Sequence, residues 1–352
     1  MIVIGVDPHK QSHTAAAAER LTGELRGERT VRARREGFEQ LLAWARGLGD
    51  ERLFALEDCR HVSIGLERFL LARGERVVRV PPKLMAGVRR SARSRGKSDA
   101  IDALAVARAA LREPKLPAAR LAGREREIRL LLDHREDLVG ERTRIQSRLR
   151  WHLHELDPGL EPPAGALDRY CWLTRVESRL ARYEQTTQVR IASELVRRIA
   201  ELTQRAKELE RELAALVRSE AAPLLELPGC GVLTAAKLIG ETAGVERFAS
   251  DARLAMHAGA APLDASSGQQ QRHRLNRSGN RQLNCALHRM AIVQGRSHPP
   301  ARAYLARKEA EGKTHREALR CLKRLLARTV HRTLKNILTS TQSTAAPEPC
   351  LT

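Results

Sequence analysis

The sequence predicts a mixed α/β fold in the N-terminal third and a helical fold in the remainder. Three observations support this. Short apolar runs alternate with amphipathic stretches up to about residue 112. Two long, charge-rich runs with regularly spaced leucines follow. Ala, Leu, Arg and Glu, which favour helices, dominate the chain, whereas aromatic residues make up only 3% of it. The 352 residues are enough for two or three domains.

The N-terminal elements follow from these patterns in order. Residues 2–7 form an apolar run that ends on a carboxylate, and residues 53–57 form a second such run. Further strands are expected at 13–18, 29–33 and 77–80, and helices at 36–48, 62–73 and 98–112. Strands followed by alternating strands and helices predict one mixed sheet.

Beyond residue 124 the sequence changes character. Residues 124–156 and 177–219 are expected to form two long helices of a hairpin or coiled coil, separated by a segment rich in proline. This pair either dimerises the chain, contacts nucleic acid or serves only as a spacer. The expected domains are 1–120, a helical dimerisation segment at 121–220, a third domain at 221–340, and a disordered Ser/Thr/Pro/Ala-rich tail at 341–352.

The third region opens with a Leu-Pro-Gly-Cys-Gly turn at 227–231, followed by a run of small residues. This pattern is similar to a helix-hairpin-helix, in which backbone N–H groups of the turn and of the next helix face a phosphate. An ordinary tight turn between two helices explains the same residues equally well.

The charge balance indicates a polyanionic partner. The chain carries 63 Lys and Arg against 42 Asp and Glu, a net charge of +21. Residues 76–97 contain eight basic residues and no acid, and residues 269–336 contain 17 basic residues against three acids. Nucleic acid is therefore the expected partner, and binding should weaken as salt rises.

The six cysteines show no Cys-x-x-Cys spacing, so neither a zinc site nor a disulfide scaffold is expected. A reduced cytoplasm fits this pattern best. No apolar run has the length of a membrane helix, and no signal peptide opens the sequence, so we expect no membrane partner.

Four acids stand out as candidate metal ligands. Asp7 and Glu57 end predicted strands, and Asp99 and Asp102 lie three residues apart on a predicted helix. Clustered carboxylates repel one another unless cations neutralise them, and a set of oxygen ligands suits Mg²⁺, with Mn²⁺ as the alternative. Taken singly, each acid also has an ordinary explanation, such as a helix charge at Asp99 with Ser98 as its cap.

A second candidate site lies in a polar, glycine-containing segment near residue 267. Ser267 precedes Gly268, and four arginines that follow could neutralise a phosphate beside a serine hydroxyl: Arg272, Arg274, Arg277 and Arg281. Ser-Ser-Gly also occurs in many loops without chemical function, so the residues alone leave both explanations open.

With these motifs in view, the chain resembles transposases of the insertion-sequence 110 family over nearly its whole length. The similarity is carried by Gly-Val-Asp-Pro-His-Lys at 5–10, Leu-Glu at 56–57, Lys-Ser-Asp-Ala-Ile-Asp-Ala at 97–103, and Ser-Gly-Asn-Arg at 278–281. The Leu-Pro-Gly-Cys-Gly turn and Ser267-Gly268 match the second domain of that family. One departure is Asp58-Cys59-Arg60, where many relatives have small residues, which makes Asp58 an additional candidate ligand.

The resemblance implies a RuvC-like (RNase H-like) N-terminal domain whose Asp7, Glu57, Asp99 and Asp102 hold Mg²⁺. It also implies that Ser267 attacks DNA and forms a phosphoserine link, with the adjacent Ser266 as the rival nucleophile. It implies DNA contacts that include Lys97, a guide (bridge) RNA, and a homo-oligomer, dimer or tetramer, in which the serine of one subunit joins the acids of another.

Two other functions remain compatible with the residues. A metal-dependent Holliday-junction resolvase-like nuclease would use the four acids with water and would need no serine. A non-enzymatic nucleic-acid-binding protein would use the basic helices and the Pro-Gly-Cys-Gly turn, and would not depend on Asp102.

Overall fold

A computed structural model describes residues 1–81, 84, 98–113, 116, 118–120, 123–264, 273–274, 276 and 279–344. The fold is mixed α/β and mostly helical, as the sequence predicts. The chain separates into two compact units, with the boundary between Ala122 and Gly123.

The first unit contains five strands and, in its described residues, three helices. Its strands are β1 (Ile2–Pro8), β2 (Ser12–Glu19), β3 (Leu25–Arg32), β4 (Arg52–Glu57) and β5 (Val77–Val80), and its helices are α1 (Arg35–Gly47), α2 (Arg60–Leu71) and α3 (Asp99–Arg112). All eight elements occur where the sequence predicts them, with boundaries that differ by a few residues at most.

The five strands form one sheet in the order β3-β2-β1-β4-β5. The first three strands are an antiparallel meander. β4 then runs parallel to β1, and β5 runs parallel to β4. The carboxyl ends of β1, β4 and β5 therefore lie at the same edge of the sheet.

Helices cover both faces of this sheet, which explains why β1 is apolar from Ile2 to Val6. Ile4 and Val6 belong to the core cluster that includes residues of α1 and α2. Val3 lies on the opposite face, in the cluster with Val106 of α3. Gly5 lies against α3 so closely that a Cβ atom there would stand 2.1 Å from the carbonyl oxygen of Ala103.

A buried carboxylate fixes one end of this unit. Glu75, whose side chain is 6% exposed, accepts hydrogen bonds from Arg52 Nε at 3.0 Å and Arg46 Nη2 at 3.2 Å. Burial opposes ionisation of Glu75, but the hydrogen bonds and charges of the two arginines outweigh it and lower its pKa. The carboxylate is therefore ionised and bound between two cations.

The second unit is largely helical. Its described α-helices are α4 (Arg124–Leu156), α5 (Tyr170–Leu180), α6 (Thr187–Ala221), α7 (Val232–Thr242), α8 (Asp251–His257), α9 (Arg281–Ser297), α10 (Pro299–Ala310) and α11 (His315–Thr344). Two strands of two residues each, β6 (Leu263–Asp264) and β7 (His273–Arg274), form an antiparallel pair.

Two cores hold this unit together. The C-terminal part of α4 and the N-terminal part of α6 pack with α5 around Leu149, Leu180 and Ile199. The N-terminal part of α4 and the C-terminal part of α6 join a larger core with helices α7 to α11, which includes Ile128 and Leu213. This larger core spans segments that the sequence assigns to separate domains, and the domain boundaries themselves stay predictions.

Two expectations about helix ends are wrong. Residues 177–219 are not one helix, because α5 ends at Leu180 and α6 begins after Thr186, whose side chain accepts a hydrogen bond from the Val189 N–H and caps the new helix. Disorder from residue 341 is also wrong for the first residues of the expected tail, since α11 continues to Thr344; residues 345–352 lie outside the described part of the chain. The hydroxyl of Ser340 bonds the carbonyl of Asn336 within the helix, so the polar residues there are compatible with it.

Among the described residues, no helix is both long enough and apolar enough to cross a lipid bilayer.

Candidate catalytic carboxylate site

The parallel pairing of β1 and β4 brings two of the predicted acids to one edge of the sheet. Val6 is opposite Leu56 in this pairing, so Asp7 and Glu57 are the next residues on two adjacent strands. The N–H of Asp58 then bonds the carbonyl of Val80 at 3.0 Å, which ties the end of β4 to β5. The edge position of these carboxylates therefore follows from strand register.

Helix α3 supplies the other two acids. Its first turn contains Asp99 and Asp102, and the hydroxyl of Ser98 accepts a hydrogen bond from the Ile101 N–H at 3.3 Å. Ser98 is therefore the N-cap that the sequence predicts. The close contact at Gly5 sets the distance between α3 and β1, and so between the two pairs of acids.

Three ligand-type side chains converge at this place. Nε2 of His9 lies 3.2 Å from Oδ2 of Asp7 and 3.6 Å from Oδ1 of Asp99. One donor atom from each of the three residues lies within 4.8 Å of the other two. Asp7 is buried, whereas His9 and Asp99 are exposed, so the group opens to solvent on one side.

Sequence reasoning missed His9. Its signal was a single imidazole two residues beyond the strand-ending Asp7, in the Asp-Pro-His-Lys sequence. Nothing in that spacing predicts which side chain the imidazole meets, because the residue lies beyond the regular alternation of the strand.

The acids of the site lie close enough together to shift the pKa values of neighbouring groups. Burial raises the pKa of Asp7, the charge and hydrogen bond of His9 oppose this, and the carboxylates of Asp102 and Asp99 add to the rise. Burial also raises the pKa of the Cys59 thiol, and the carboxylates of Glu57 and Asp7 raise it further. Negative charge from both strand ends and from α3 therefore accumulates at this edge.

This donor set fits a divalent cation. Carboxylate oxygens predominate, and crowding of negative charge around the buried Asp7 is relieved when a cation binds. Oxygen donors favour Mg²⁺ or Mn²⁺, and a single imidazole is also compatible with Mn²⁺. Asp7, His9 and Asp99 have the required proximity in the structure. Asp102 is near enough to influence the pKa of Asp7, and Glu57 ends the strand adjacent to β1.

Comparison with known proteins agrees with the resemblance found in the motifs. Residues 4–158 match a family model described as a transposase, of the DEDD class of IS110. Residues 221–306 match the model of the transposase IS116/IS110/IS902 family. The chain is 30% identical to an uncharacterized protein of insertion element IS110 from Streptomyces coelicolor, over 73% of this chain and 76% of that protein. This chain belongs to the IS110 family of transposases.

Two further relatives extend the similarity. The IS110-family chain is 27% identical to an uncharacterized protein of insertion element IS116 from Streptomyces clavuligerus, over 92% of each sequence. It is also 27% identical to an uncharacterized protein of insertion element IS900 from Mycobacterium paratuberculosis, over 72% of this chain and 75% of that protein. The four acids lie within the first matched segment, and Ser267 lies within the second.

Most of the predicted serine site of this transposase lies outside the described residues. This applies to Ser266, Ser267, Arg272 and Arg277, and the predicted DNA contact Lys97 also lies outside them. The other two predicted arginines are described: Arg274 is in β7, paired with Leu263, and Arg281 is the first residue of α9.

A buried polar network, which sequence reasoning also missed, holds the start of α9. The side chain of Asn280 caps α9 by accepting from the N–H groups of Gln282 and Leu283, and its Nδ2 donates to Glu241 Oε2 at 2.6 Å. Nζ of the buried Lys237 donates to Glu136 and, at 2.9 Å, to Gln282 Oε1. Asn280 of the Ser-Gly-Asn-Arg motif is therefore anchored to the core of the transposase.

The Leu-Pro-Gly-Cys-Gly segment forms the tight turn that its sequence predicts. The Cys230 N–H bonds the Leu227 carbonyl at 2.9 Å, and Gly229 has a positive φ of 78°, which glycine adopts without strain. Gly231 is the N-cap of α7. Whether this turn faces a phosphate stays a prediction.

Proposed function

We propose that this protein is a DNA recombinase that cuts and rejoins DNA strands through a phosphoserine intermediate at Ser267, with Mg²⁺ held by Asp7, Glu57, Asp99 and Asp102. The single observation that carries the metal half of this proposal is the burial of Asp7 next to the carboxylates of α3. Membership in a transposase family supports the choice of DNA as substrate.

The sheet supports the assignment of a RuvC-like (RNase H-like) domain. An antiparallel meander followed by two parallel strands, in the order β3-β2-β1-β4-β5, is the arrangement expected for that fold. Acids at the ends of the central strand β1 and of its neighbour β4, completed by a helix, are also expected there.

The acids would hold the ions and leave one side open for a phosphate. Asp7 is the buried ligand, fixed by its strand, and Asp99 is the exposed one at the start of α3. When bound, a pair of Mg²⁺ ions supplies charge that activates an attacking oxygen and stabilises a leaving oxygen in phosphoryl transfer. His9 would orient Asp7 and Asp99 through its contacts with both carboxylates.

The serine supplies the nucleophile in this proposal. Its hydroxyl oxygen forms a bond to the scissile phosphorus and gives up its proton. The bond from phosphorus to the sugar oxygen breaks, and that oxygen leaves as a hydroxyl. Attack by the hydroxyl of another strand reverses these steps, releases the serine and joins the strands. Arg274 and Arg281 would neutralise the phosphate charge.

A guide RNA and a homo-oligomer are further parts of this proposal, and both come from the family resemblance. A guide RNA would pair with DNA while the protein contacts backbone, a division of labour seen in other guided systems. The net charge of +21 is compatible with RNA and DNA binding at once. A dimer or tetramer would let the serine of one subunit act with the acids of another.

The first experiment tests the nucleophile. The full chain, co-expressed with RNA from the sequence that flanks its gene, is incubated with donor and target DNA and Mg²⁺, and a covalent protein–DNA adduct is sought by denaturing electrophoresis and peptide mapping. We expect the adduct to disappear in Ser267→Ala and to persist in Ser266→Ala. The reverse pattern would assign the role to Ser266. DNA cleavage without any adduct would favour the resolvase-like nuclease.

The second experiment tests the metal site with a readout that is independent of activity. Mn²⁺ binding is followed by electron paramagnetic resonance in Asp7→Asn and Asp99→Asn, with Asp50→Asn, an exposed acid in a turn, as the control. We expect both site variants to weaken Mn²⁺ binding and abolish strand exchange while DNA binding persists. Normal strand exchange in either variant would refute the metal assignment. Absence of strand exchange in wild type, with nucleic-acid binding that Asp102→Ala leaves intact, would favour a non-enzymatic function.

A further inference from the structure

One face of α11 is a row of cations. Arg324, Arg328, Arg332 and Lys335 follow one another at intervals of four, four and three residues, and therefore lie on the same side of the helix. The opposite side of α11 is buried in the larger core of its unit through Leu326, Ala327 and Val330. The only acid in the whole of α11 is Glu317, near its first turn. We call these four residues the α11 basic face.

Asp251, the first residue of α8, organises part of this face. Its Oδ2 accepts a hydrogen bond from Arg324 Nη1 at 2.9 Å and from Arg328 Nε at 3.3 Å. The hydrogen bond from Arg324, together with the charges of both arginines, lowers the pKa of Asp251, so the carboxylate stays ionised. One acid thus fixes two guanidinium groups, each of which keeps further N–H donors.

The remaining two cations of the face have no such partner. Within the described part of the chain, neither Arg332 nor Lys335 forms an ion pair with a carboxylate, and both are exposed. They line a cavity of about 380 Å³, together with Ser250, Arg328, His331 and Asp251, whose carboxylate is already bound by Arg324 and Arg328. The buried His331 contacts the Phe248 carbonyl at 3.3 Å through Nε2, which fixes one wall of this cavity. Unpaired cations around a cavity are an arrangement that suits an anion.

We propose that the α11 basic face binds the phosphate backbone of the DNA substrate. This proposal rests on the proposed function, because it takes DNA as the substrate. The eleven residue intervals from Arg324 to Lys335 extend over about 16 Å of helix, which equals the rise of about five nucleotides of one strand along the axis of a DNA duplex, at about 3.4 Å each. A row of separate cations suits a repeating anion, and its contacts carry no information about base sequence.

The test removes only the two cations without an acid partner. The double variant Arg332→Gln/Lys335→Gln is compared with wild type for binding to a labelled mixed-sequence DNA duplex of about three helical turns, at several salt concentrations and with EDTA present so that strand breakage does not occur. Each lost phosphate contact lowers the salt slope by about 0.9, so we expect a decrease of nearly two. If the variant and wild type bind equally at 1 M salt, this difference in slope means that each lost contact lowers the affinity at 0.1 M salt about tenfold.

A matched control makes the same change in charge elsewhere. Arg197→Gln/Arg211→Gln removes two exposed cations from α6, where Glu194, Glu201, Glu208 and Glu212 surround them in sequence. We expect this variant to bind the duplex within about twofold of wild type, because the mixed charges of α6 form no single-sign face. The charge-conserving variant Arg332→Lys/Lys335→Arg should retain binding and confirms that loss of charge, not of folding, is measured.

The outcomes are distinct. An unchanged salt slope in Arg332→Gln/Lys335→Gln would overturn the proposal, and so would an equal loss in the α6 control. The same variant measured with a hairpin RNA of similar length identifies the source of the phosphates: a loss with RNA but not with DNA would overturn the assignment to DNA. The covalent-adduct assay on wild type is independent of these measurements, so failure of the catalytic proposal is recognised separately.

Discussion

Gly5→Ala is expected to separate the acids of the proposed metal site without touching any of them. Gly5 lies in the central strand β1, two residues before Asp7, and faces the backbone of α3. A Cβ atom at this position would stand 2.1 Å from the Ala103 carbonyl oxygen and 2.3 Å from the Ala107 nitrogen. Both obstacles are backbone atoms, so no side-chain rotation removes the clash.

The size of the effect follows from these distances. Non-bonded heavy atoms ordinarily approach to about 3.5 Å, so α3 must move away from β1 by roughly 1 Å or more. Overpacking of this kind costs about 1–3 kcal/mol of stability. The same movement displaces Asp99 and Asp102 relative to Asp7, and a misplacement of about 1 Å costs on the order of 10²-fold in catalytic rate.

The assays are urea unfolding, Mn²⁺ binding and formation of the covalent DNA adduct, all on the full chain. Gly47→Ala is the matched control, because a Cβ atom at this exposed helical residue meets nothing within 4 Å. The control is expected to gain up to about 1 kcal/mol from its higher helix propensity and to keep full activity.

If Gly5→Ala unfolds at the same urea concentration as wild type and forms adduct at the same rate, Gly5 does not set the spacing of the acids. A stable variant that binds Mn²⁺ normally but forms no adduct would show that the packing of α3 matters for a reason other than spacing of the acids.

Three further predictions concern stability and reactivity. Glu75→Gln should lower the free energy of unfolding by about 1–3 kcal/mol at neutral pH. Because folding lowers the pKa of Glu75, its carboxylate stabilises the fold above the unfolded pKa, and this stabilisation is lost as pH falls through the folded pKa. The variant should therefore lose less stability in acid than wild type. Burial raises the pKa of the Cys230 thiol to about 12, so alkylation at pH 8 should be far slower at Cys230 than at the exposed Cys171, and equal rates by mass spectrometry would contradict this. Lys237→Ala should cost about 1–3 kcal/mol in urea unfolding, because it removes the hydrogen bonds that a buried ammonium donates to the partly exposed Glu136 and to Gln282. Wild-type stability would show that this network contributes nothing.

Local patterns predict most of the secondary structure because the physical signals are local. β5 and α4 have the bounds that the hydrophobic pattern gives, and α3 begins one residue after its predicted start because Ser98 caps it. The break between α5 and α6 was missed, since Leu-periodic residues continue on both sides and only the cap at Thr186 marks the new start. Amphipathic periodicity alone does not show whether a helix is interrupted.

Local sequence also predicts part of the candidate site, and tertiary contacts supply the rest. That Asp7 and Glu57 end strands, and that Asp99 and Asp102 share the first turn of a helix, follows from the sequence alone. That these ends meet depends on the parallel pairing of β1 with β4, a contact between residues about fifty apart, which no local pattern encodes. The contact of His9 with Asp99 likewise depends on the packing of α3 against the sheet and not on a local pattern.

Local sequence features establish the order of strands and helices along the chain, the strongly basic character and the motifs of the family, because periodicity, charge and short-range spacing are properties of neighbouring residues. Contacts formed on folding establish which carboxylates lie close together, that Gly5 sets the position of α3, and that Asp251 orders two arginines of α11. Each of these depends on distances between segments far apart in the chain, and those distances are fixed only when the cores pack.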